Sequence, residues 1–198
     1  MSSQILNITN LEKSFGGNKA VNEATFSIEQ GKITGLIGPN GAGKTTCFNC
    51  IAGSIMPDGG SIYFHETDIT KLPPHKIFEL GIARTFQIPQ ELTMLTVEEN
   101  LLLTPKNQLG EKFYNNWLFG KKIAHQEENL QNRAHEILET VGLADKAADL
   151  AGTLSGGQRK LLELGRALME EPELVLLDEP NAGVNPKLAN QLVAKIKD

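Results

Sequence analysis

The sequence has little of several features that define large classes of protein. It contains two cysteines, 6% aromatic residues, and fewer basic than acidic side chains, with 19 Lys and Arg against 24 Asp and Glu. Two cysteines exclude a disulfide-rich scaffold. A net charge of −5 provides no basic field for a polyanion, so nucleic-acid binding is disfavoured.

Long hydrophobic runs are also missing. No window approaches the roughly 20 apolar residues that a membrane-spanning helix needs, and the N-terminus MSSQILNITN lacks a basic segment followed by an apolar one. We therefore expect a cytoplasmic protein that reaches a membrane only through partner subunits. The composition, 40% hydrophobic and 22% charged over 198 residues, is typical of one globular domain with an inserted lobe.

The two cysteines, Cys47 and Cys50, have the C-x-x-C spacing of a redox pair or of half a metal site. No other cysteine and no pair of histidines lies nearby, and both residues fall inside a predicted helix. We therefore expect them to be small apolar residues that face the core.

The hydrophobic pattern predicts an α/β protein. Ile5–Phe15 and Ala20–Glu29 are rich in β-formers and are separated by glycines, which predicts a hairpin. Lys32–Gly38 is typical of a buried strand, and Gly43–Ile51 of a helix stopped by a glycine. Further strands are predicted at Ile62–Ile69, Ile82–Gln87 and Glu173–Leu177, and helices at Pro73–Leu80, at Ser155–Met169 and from Pro186.

Residues 88–150 have the pattern of a helical lobe. Thr96 and Glu99 form a capping box, and apolar residues recur at helical spacing between Leu130 and Val141. The aromatic residues around Trp117, between Pro105 and Lys122, are expected in the core of this lobe, with a partner-facing surface as the alternative.

The strongest motif is Gly38-Pro-Asn-Gly-Ala-Gly-Lys-Thr45, a match to the phosphate-loop pattern G-x-x-x-x-G-K-[ST] between a predicted strand and a predicted helix. Its glycines let the backbone wrap a phosphate, with N–H groups at a helix N-terminus directed at the negative charge. Lys44 is expected to reach the β- and γ-phosphates, and the Thr45 hydroxyl to bind Mg²⁺. The expected nucleotide-binding residues here are Gly38, Pro39, Asn40, Gly41, Ala42, Gly43, Lys44, Thr45 and Thr46.

A second site follows the apolar run Leu174–Leu177, which ends in two carboxylates, Asp178 and Glu179. Ligands bind at the carboxyl ends of strands in open α/β sheets. Asp178 is expected to hold the Mg²⁺ shell, and Glu179 to polarise the attacking water as a general base.

The third motif, Leu154-Ser-Gly-Gly-Gln158, is similar to the signature of ATP-binding cassette (ABC) transporters; read without that family it is a helix cap. With the two sites above, the chain resembles a nucleotide-binding subunit of that family. The resemblance implies a P-loop NTPase (RecA-like) core with an N-terminal antiparallel β-subdomain and an inserted α-helical subdomain, and ATP and Mg²⁺ as cofactors. It divides the chain into a core of residues 1–87 and about 151–198 and a helical part of about 88–150. The signature residues expected to cap the γ-phosphate of ATP on a second subunit are Ser155, Gly156, Gly157 and Gln158.

Three further positions match this family. Gln87 resembles the glutamine that contacts Mg²⁺ and links the site to the helical lobe. Phe15 resembles the aromatic residue that stacks on adenine, although a core position is the ordinary expectation for phenylalanine. Ala182–Asn185 resembles the segment that crosses the dimer, with Asn185 where many members have Asp.

A narrower resemblance is to the ATP-binding subunits of branched-chain amino-acid importers, through Arg84–Gln87, Asn116–Gly120 and Glu179–Pro186. It implies permease subunits, a second ATPase subunit, an upstream solute-binding protein and a location at the inner face of the cell membrane. Ile88–Leu95 is the expected partner contact. The alternatives are a transporter of other cargo, a non-transport ABC ATPase acting on nucleic acid or ribosomes, and a non-catalytic nucleotide-binding module.

The family also has a switch histidine beyond the Asp-Glu pair. The chain ends at Asp198, and its four histidines, His65, His75, His125 and His135, all precede that pair. His125 and His135 are expected to be solvated. We expect a C-terminally truncated cassette in which ATP binding survives better than hydrolysis.

Overall fold

A computed structural model of the chain describes residues 4–85, 92–105 and 120–178. They divide into two compact units: the chain up to Arg84 together with Glu173–Asp178, and Thr85–Pro172. The second unit ends at Pro172, whereas the sequence predicts that the helical part ends at about residue 150. The physical reason is that the helix following Ser155 packs against other helices of the second unit.

The first unit opens with the predicted hairpin. Strands β1 (Gln4–Phe15) and β2 (Asn18–Glu29) are antiparallel and meet at a two-residue glycine turn. β3 (Gly59–Phe64) and β4 (Thr67–Asp68) complete a four-stranded sheet in the order β2-β1-β3-β4. The single strand predicted over residues 62–69 is wrong, because the chain reverses at His65, whose φ is 50°.

Two helices cover this sheet. Helix α1 (Lys44–Ile51) starts at the phosphate loop, and α2 (Pro74–Glu79) begins with a proline in its first turn, as predicted. Their buried faces and the inward side chains of β1 and β3 share one apolar core, and burial of this surface is the main stabilising term of the unit. Its large, fully buried members include Ile5, Leu6, Ile8, Leu11, Ile62, Ile69 and Ile77.

A second, parallel pair of strands follows. β5 (Ile82–Arg84) and β6 (Leu174–Leu176) are paired from Ile82 opposite Leu174 to Arg84 opposite Leu176. Both lie inside the strands that the sequence predicts. Because the strands are parallel, their carboxyl ends meet at one edge, which brings Arg84 close to the segment that follows β6.

The run Lys32–Gly38 is not the buried strand that its composition predicts. Among the described residues no strand pairs with it, and Ile33 and Ile37 are 61% and 95% exposed. A buried strand in a parallel sheet needs neighbours for its N–H and C=O groups. The described parallel ladder joins β5 to β6 alone, so this run has no such neighbour.

The second unit is helical. Helices α3 (Val97–Leu102), α4 (Gly120–Val141) and α5 (Gly156–Leu168) pack together. The predicted capping box at the start of α3 is confirmed, with Thr96 and Glu99 satisfying each other's backbone N–H groups at 2.7 and 3.1 Å. None of the described helices is both long and apolar enough to cross a membrane.

Two polar side chains form hydrogen bonds with backbone groups near the ends of these helices. Asn100 is 1% exposed and bonds to the N–H and C=O of Leu92 at 2.8 and 3.1 Å and to the C=O of Thr96 at 2.8 Å. Arg133 of α4 donates to the carbonyls of Leu168 and Met169 at the end of α5 and pairs with Glu171. Arg133 bonds to carbonyls of the kind that a helix end leaves without helical partners, whereas Asn100 joins α3 to the segment that precedes it.

The cysteines face the core of the first unit, as the sequence predicts. Both are free thiols of α1; Cys47 and Cys50 are 4% and 1% exposed. Burial, with a smaller effect of Cys50, raises the pKa of Cys47 to about 11, and burial also raises the pKa of Cys50.

We expect both thiols to resist iodoacetamide at mildly alkaline pH in the folded protein, because the reagent attacks an exposed thiolate. The same chain in urea should be alkylated at both positions, as measured by mass spectrometry of the intact protein. Rapid double modification of the folded protein would contradict the buried placement.

Candidate active site

The phosphate loop leads directly into α1. Gly43 is the residue that caps this helix, with a left-handed φ of 80°, and within the described part of the chain no side-chain cap bonds to the N–H groups of the first turn. A turn closed by the N–H of Ala42 and the C=O of Pro39, at 3.2 Å, shapes the preceding backbone. A helix N-terminus without a side-chain cap has unpaired N–H groups and a positive dipole end, which together bind anions.

Glycine is required where this loop touches the sheet. A Cβ on Gly43 would lie 1.9 Å from the carbonyl oxygen of Ala20 in β2, far inside contact distance. Gly41 has a similar φ of 83°, but a Cβ there meets nothing within 4 Å. The loop is therefore packed against β2 at Gly43 and open at Gly41.

Lys44 is held against the loop by the loop's own backbone. Its Nζ donates to the carbonyls of Gly38 and Pro39 at 2.7 and 2.9 Å. Among the described residues no carboxylate pairs with this ammonium group. A phosphate is the anion that such an arrangement fits.

The other residues predicted to bind nucleotide here lie around the start of α1. Thr45 and Thr46 lie in the first turn of α1 and are partly buried. The loop residues that stay exposed are Pro39, Asn40, Gly41 and Ala42.

Asp178 follows β6 and is buried, with 4% of its side chain exposed. Its Oδ2 accepts a hydrogen bond from Arg84 at 3.1 Å, and the same guanidinium donates to Oδ1 of Asn49 in α1 at 2.5 Å. Arg84 therefore joins the carboxylate to the helix that begins at the phosphate loop. The sequence reasoning missed this contact; the available signal was an arginine at the end of the strand predicted next to the site.

Phe15 is at the end of β1 and is 51% exposed, so the ordinary core position does not apply to it. The Nζ of Lys13 lies 5.6 Å from the centre of its ring. Phe15 pairs with Asn18, and Ala20 soon afterwards touches Gly43. An exposed aromatic face therefore lies a short stretch of backbone away from the phosphate loop.

The signature segment belongs to the second unit and caps α5. Ser155 donates its N–H to Oε1 of Gln158 at 2.9 Å, and its Oγ accepts from the N–H of Gln158 at 3.4 Å. Arg159 holds the backbone that leads into α5 by donating to the carbonyls of Leu154 and Gly152, each at 3.1 Å. The helix cap expected from the residues alone is therefore present, and Gly156, where a Cβ meets nothing within 4 Å, is exposed.

Several predicted positions lie outside the described residues: Gln87, Glu179, Trp117 and Ala182–Asn185. Of the histidines, His65 bonds to Glu173 at 2.9 Å. His75, His125 and His135 are exposed, and the last two were predicted to be solvated.

Comparison with known protein families finds one that matches most of this chain. The sequence profile of the ABC transporter family matches residues 21–182. The chain belongs to the ABC transporter family. Its predicted fold class, an ABC ATPase with a P-loop core, is confirmed, and so is the prediction of a nucleotide-binding ATPase.

Relatives match over nearly the whole chain. The "Probable branched-chain amino acid transport ATP-binding protein LivG" of Archaeoglobus fulgidus is 45% identical over 97% of this chain and 74% of that protein. The "High-affinity branched-chain amino acid transport ATP-binding protein BraF" of Pseudomonas aeruginosa is 40% identical over 99% and 77%. The solved ADP conformation of MJ1267, an ATP-binding cassette of an ABC transporter, has a TM-score of 0.82 and 42% identity and covers 99% of this chain and 76% of that one.

The two loop glycines give a matched test of the cassette's phosphate loop. We expect Gly41→Ala to cost about 1–2 kcal/mol of the free energy of unfolding, the usual cost of a left-handed L-residue. Gly43→Ala should cost clearly more, about 3 kcal/mol or above, because backbone strain and a clash with Ala20 add. Urea unfolding of both variants measures the difference, and equal costs would contradict the packing of the loop against β2.

Proposed function

We propose that this chain is the ATP-binding and ATP-hydrolysing subunit of an importer for branched-chain amino acids. The observation that carries the ATPase site is Lys44, held by two loop carbonyls at the uncapped start of α1. The names of the relatives support the cargo. The ATPase does not itself contact the cargo, so the cargo assignment rests on those names.

In this proposal the backbone N–H groups of the phosphate loop, residues 38–46, and the Lys44 ammonium bind the phosphates of ATP, with Lys44 reaching the β- and γ-phosphates. The exposed ring of Phe15 stacks on adenine. Thr45 and Asp178 are the residues that would hold Mg²⁺, and one hydroxyl with one carboxylate fits a cation that keeps several waters and binds phosphate oxygens. The cation supplies electrostatic stabilisation of the charge that develops during phosphoryl transfer.

Hydrolysis needs an activated water. Glu179, the next residue after Asp178, accepts a proton from the water that attacks the γ-phosphorus, and the bond to the departing ADP oxygen breaks. Gln87 would contact the cation and link the site to the helical lobe, a role that comes from the family resemblance. The role of Glu179 comes from its place after the apolar run that ends at Leu177, and both residues lie outside the described part of the chain.

The signature segment acts on a second subunit. The Ser155 Oγ accepts from the N–H of Gln158, which leaves its O–H as a donor. This hydroxyl, the exposed backbone of Gly156 and the partly exposed backbone of Gly157 are what the surface offers to a γ-phosphate bound by the partner. Two cassettes in head-to-tail arrangement then enclose two ATP molecules. Closure follows ATP binding because the closed pair binds the nucleotide more tightly.

Permease subunits of the membrane are the second kind of partner. Within the second unit, Leu92 and Met94 are 50% and 83% exposed, and we infer that they belong to an apolar patch of the kind that marks an interaction site. They belong to the segment Ile88–Leu95 that the sequence predicts as the partner contact. In this proposal the subunit lies at the inner face of the cell membrane, bound to the permease. A solute-binding protein delivers the amino acid to the permease from the opposite side of the membrane.

The first experiment compares nucleotide binding and phosphate release by the unmodified chain with those of Lys44→Ala. Loss of the ammonium should weaken ATP binding in magnesium by roughly tenfold or more, equivalent to about 1.4 kcal/mol, and abolish any phosphate release. Lys146→Ala is the control, since Lys146 pairs with Asp149 at 2.9 Å in the second unit. A folded chain that binds no ATP, or a Lys44→Ala variant that binds normally, would overturn the proposal.

The permease contact is tested with a pair of exposed methionines. Met94→Glu should abolish co-purification with the permease subunits of the same transporter, because it places a charge in an apolar interface. Met56→Glu is the control, since Met56 is 59% exposed in the first unit. Nucleotide binding should be unchanged in both variants, and retained assembly of Met94→Glu would remove this surface from the proposal.

A further inference from the structure

Arg84 is placed between two parts of the active site that belong to different elements of the first unit. It ends β5, and its side chain is 16% exposed. One terminal nitrogen donates to Asn49 of α1 at 2.5 Å, and the other donates to Oδ2 of Asp178 at 3.1 Å. The proposed nucleotide site assigns no task to this side chain.

The planar guanidinium turns these two contacts into one geometric constraint. Its donors form a rigid fork, so a bond from one nitrogen fixes the direction in which the other points. Asn49 is rigidly placed by α1, the same helix that begins with the phosphate-binding Lys44. The position of Asp178 is therefore set relative to the phosphate loop through Arg84.

The contact uses one oxygen of the carboxylate. Among the described residues no donor bonds to the other oxygen, Oδ1. A carboxylate held at one oxygen and open at the other is suited to bind a cation directly or through water, because its orientation is already determined.

Stability alone does not account for an arginine here. Within the described residues the buried Nε of Arg84 has no acceptor, and a buried donor without a partner costs free energy. A buried ion pair is often no more stabilising than apolar side chains of similar volume. The arrangement instead favours a role in orienting its charged partner.

We propose that Arg84 is a positioning residue that orients Asp178 for the magnesium ion of the nucleotide complex, using Asn49 as its anchor. This inference rests on the proposed ATP·Mg²⁺ site. Arg84 itself touches neither nucleotide nor cation in this scheme; its effect is transmitted through the carboxylate.

The test measures how much magnesium improves ADP binding. A fluorescent ADP analogue is titrated against the full chain with magnesium and with EDTA, and the ratio of the two affinities is the magnesium effect. Arg84→Gln should reduce this ratio about tenfold, the usual lower range for loss of a residue that orients a metal ligand. Its affinity in EDTA should stay close to that of the unmodified chain.

Two further variants separate positioning from general damage. Asp178→Asn should remove most of the magnesium effect, and adding Arg84→Gln to it should cause little further loss, because the two residues act in series. Arg133→Gln is the matched control: it breaks an arginine–glutamate pair in the second unit and should lower stability in urea while leaving the magnesium effect intact.

The outcomes are distinct. If the unmodified folded chain binds no ADP, the proposed nucleotide site fails, whatever Arg84 does. If it binds and Arg84→Gln keeps the full magnesium effect, or shows a larger one because the guanidinium had occupied the place of the cation, the positioning role is wrong. Additive losses in the double variant would also overturn it.

Discussion

The parallel pairing of β5 with β6 determines where Arg84 and Asp178 lie relative to each other. Two strands distant in sequence are brought side by side in a fixed register, with Arg84 opposite Leu176. Asp178 then emerges next to a guanidinium that also contacts α1. Neither group could be buried alone without a large desolvation cost. The short ladder is therefore a condition for Asp178 to be joined through Arg84 to the helix that begins at the phosphate loop.

Local chemistry made much of the fold predictable from the sequence. The hairpin of β1 and β2 follows from β-formers around a glycine turn, and the start of α3 follows from the reciprocal cap of Thr96 and Glu99. The phosphate loop was predictable for the same reason, because its glycines, Lys44 and the first turn of α1 are contiguous in the chain. Patterns of this kind need no knowledge of distant contacts.

The features that the sequence did not predict depend on contacts between distant residues or on the dihedral angle of a single residue. The run Lys32–Gly38 has a strand's composition, yet strand structure requires a paired neighbour, which this run lacks among the described residues. The break between β3 and β4 depends on the positive φ of one residue, His65, that is not a glycine. The contacts of Arg84 join residues separated by 35 and 94 positions, and no local motif encodes such a meeting.

The close approach of Gly43 to Ala20 has a consequence for the spacing between Phe15 and the phosphate loop. The backbone between Phe15 and Ala20 is short and belongs to one tight hairpin, so a short spacer joins the aromatic residue to the residue that meets the phosphate loop. A ligand that uses both ends has to match that spacer in length. In the proposed site a nucleotide would use both ends, its base at Phe15 and its phosphates at the loop, whereas a free base or a free phosphate would engage one end only.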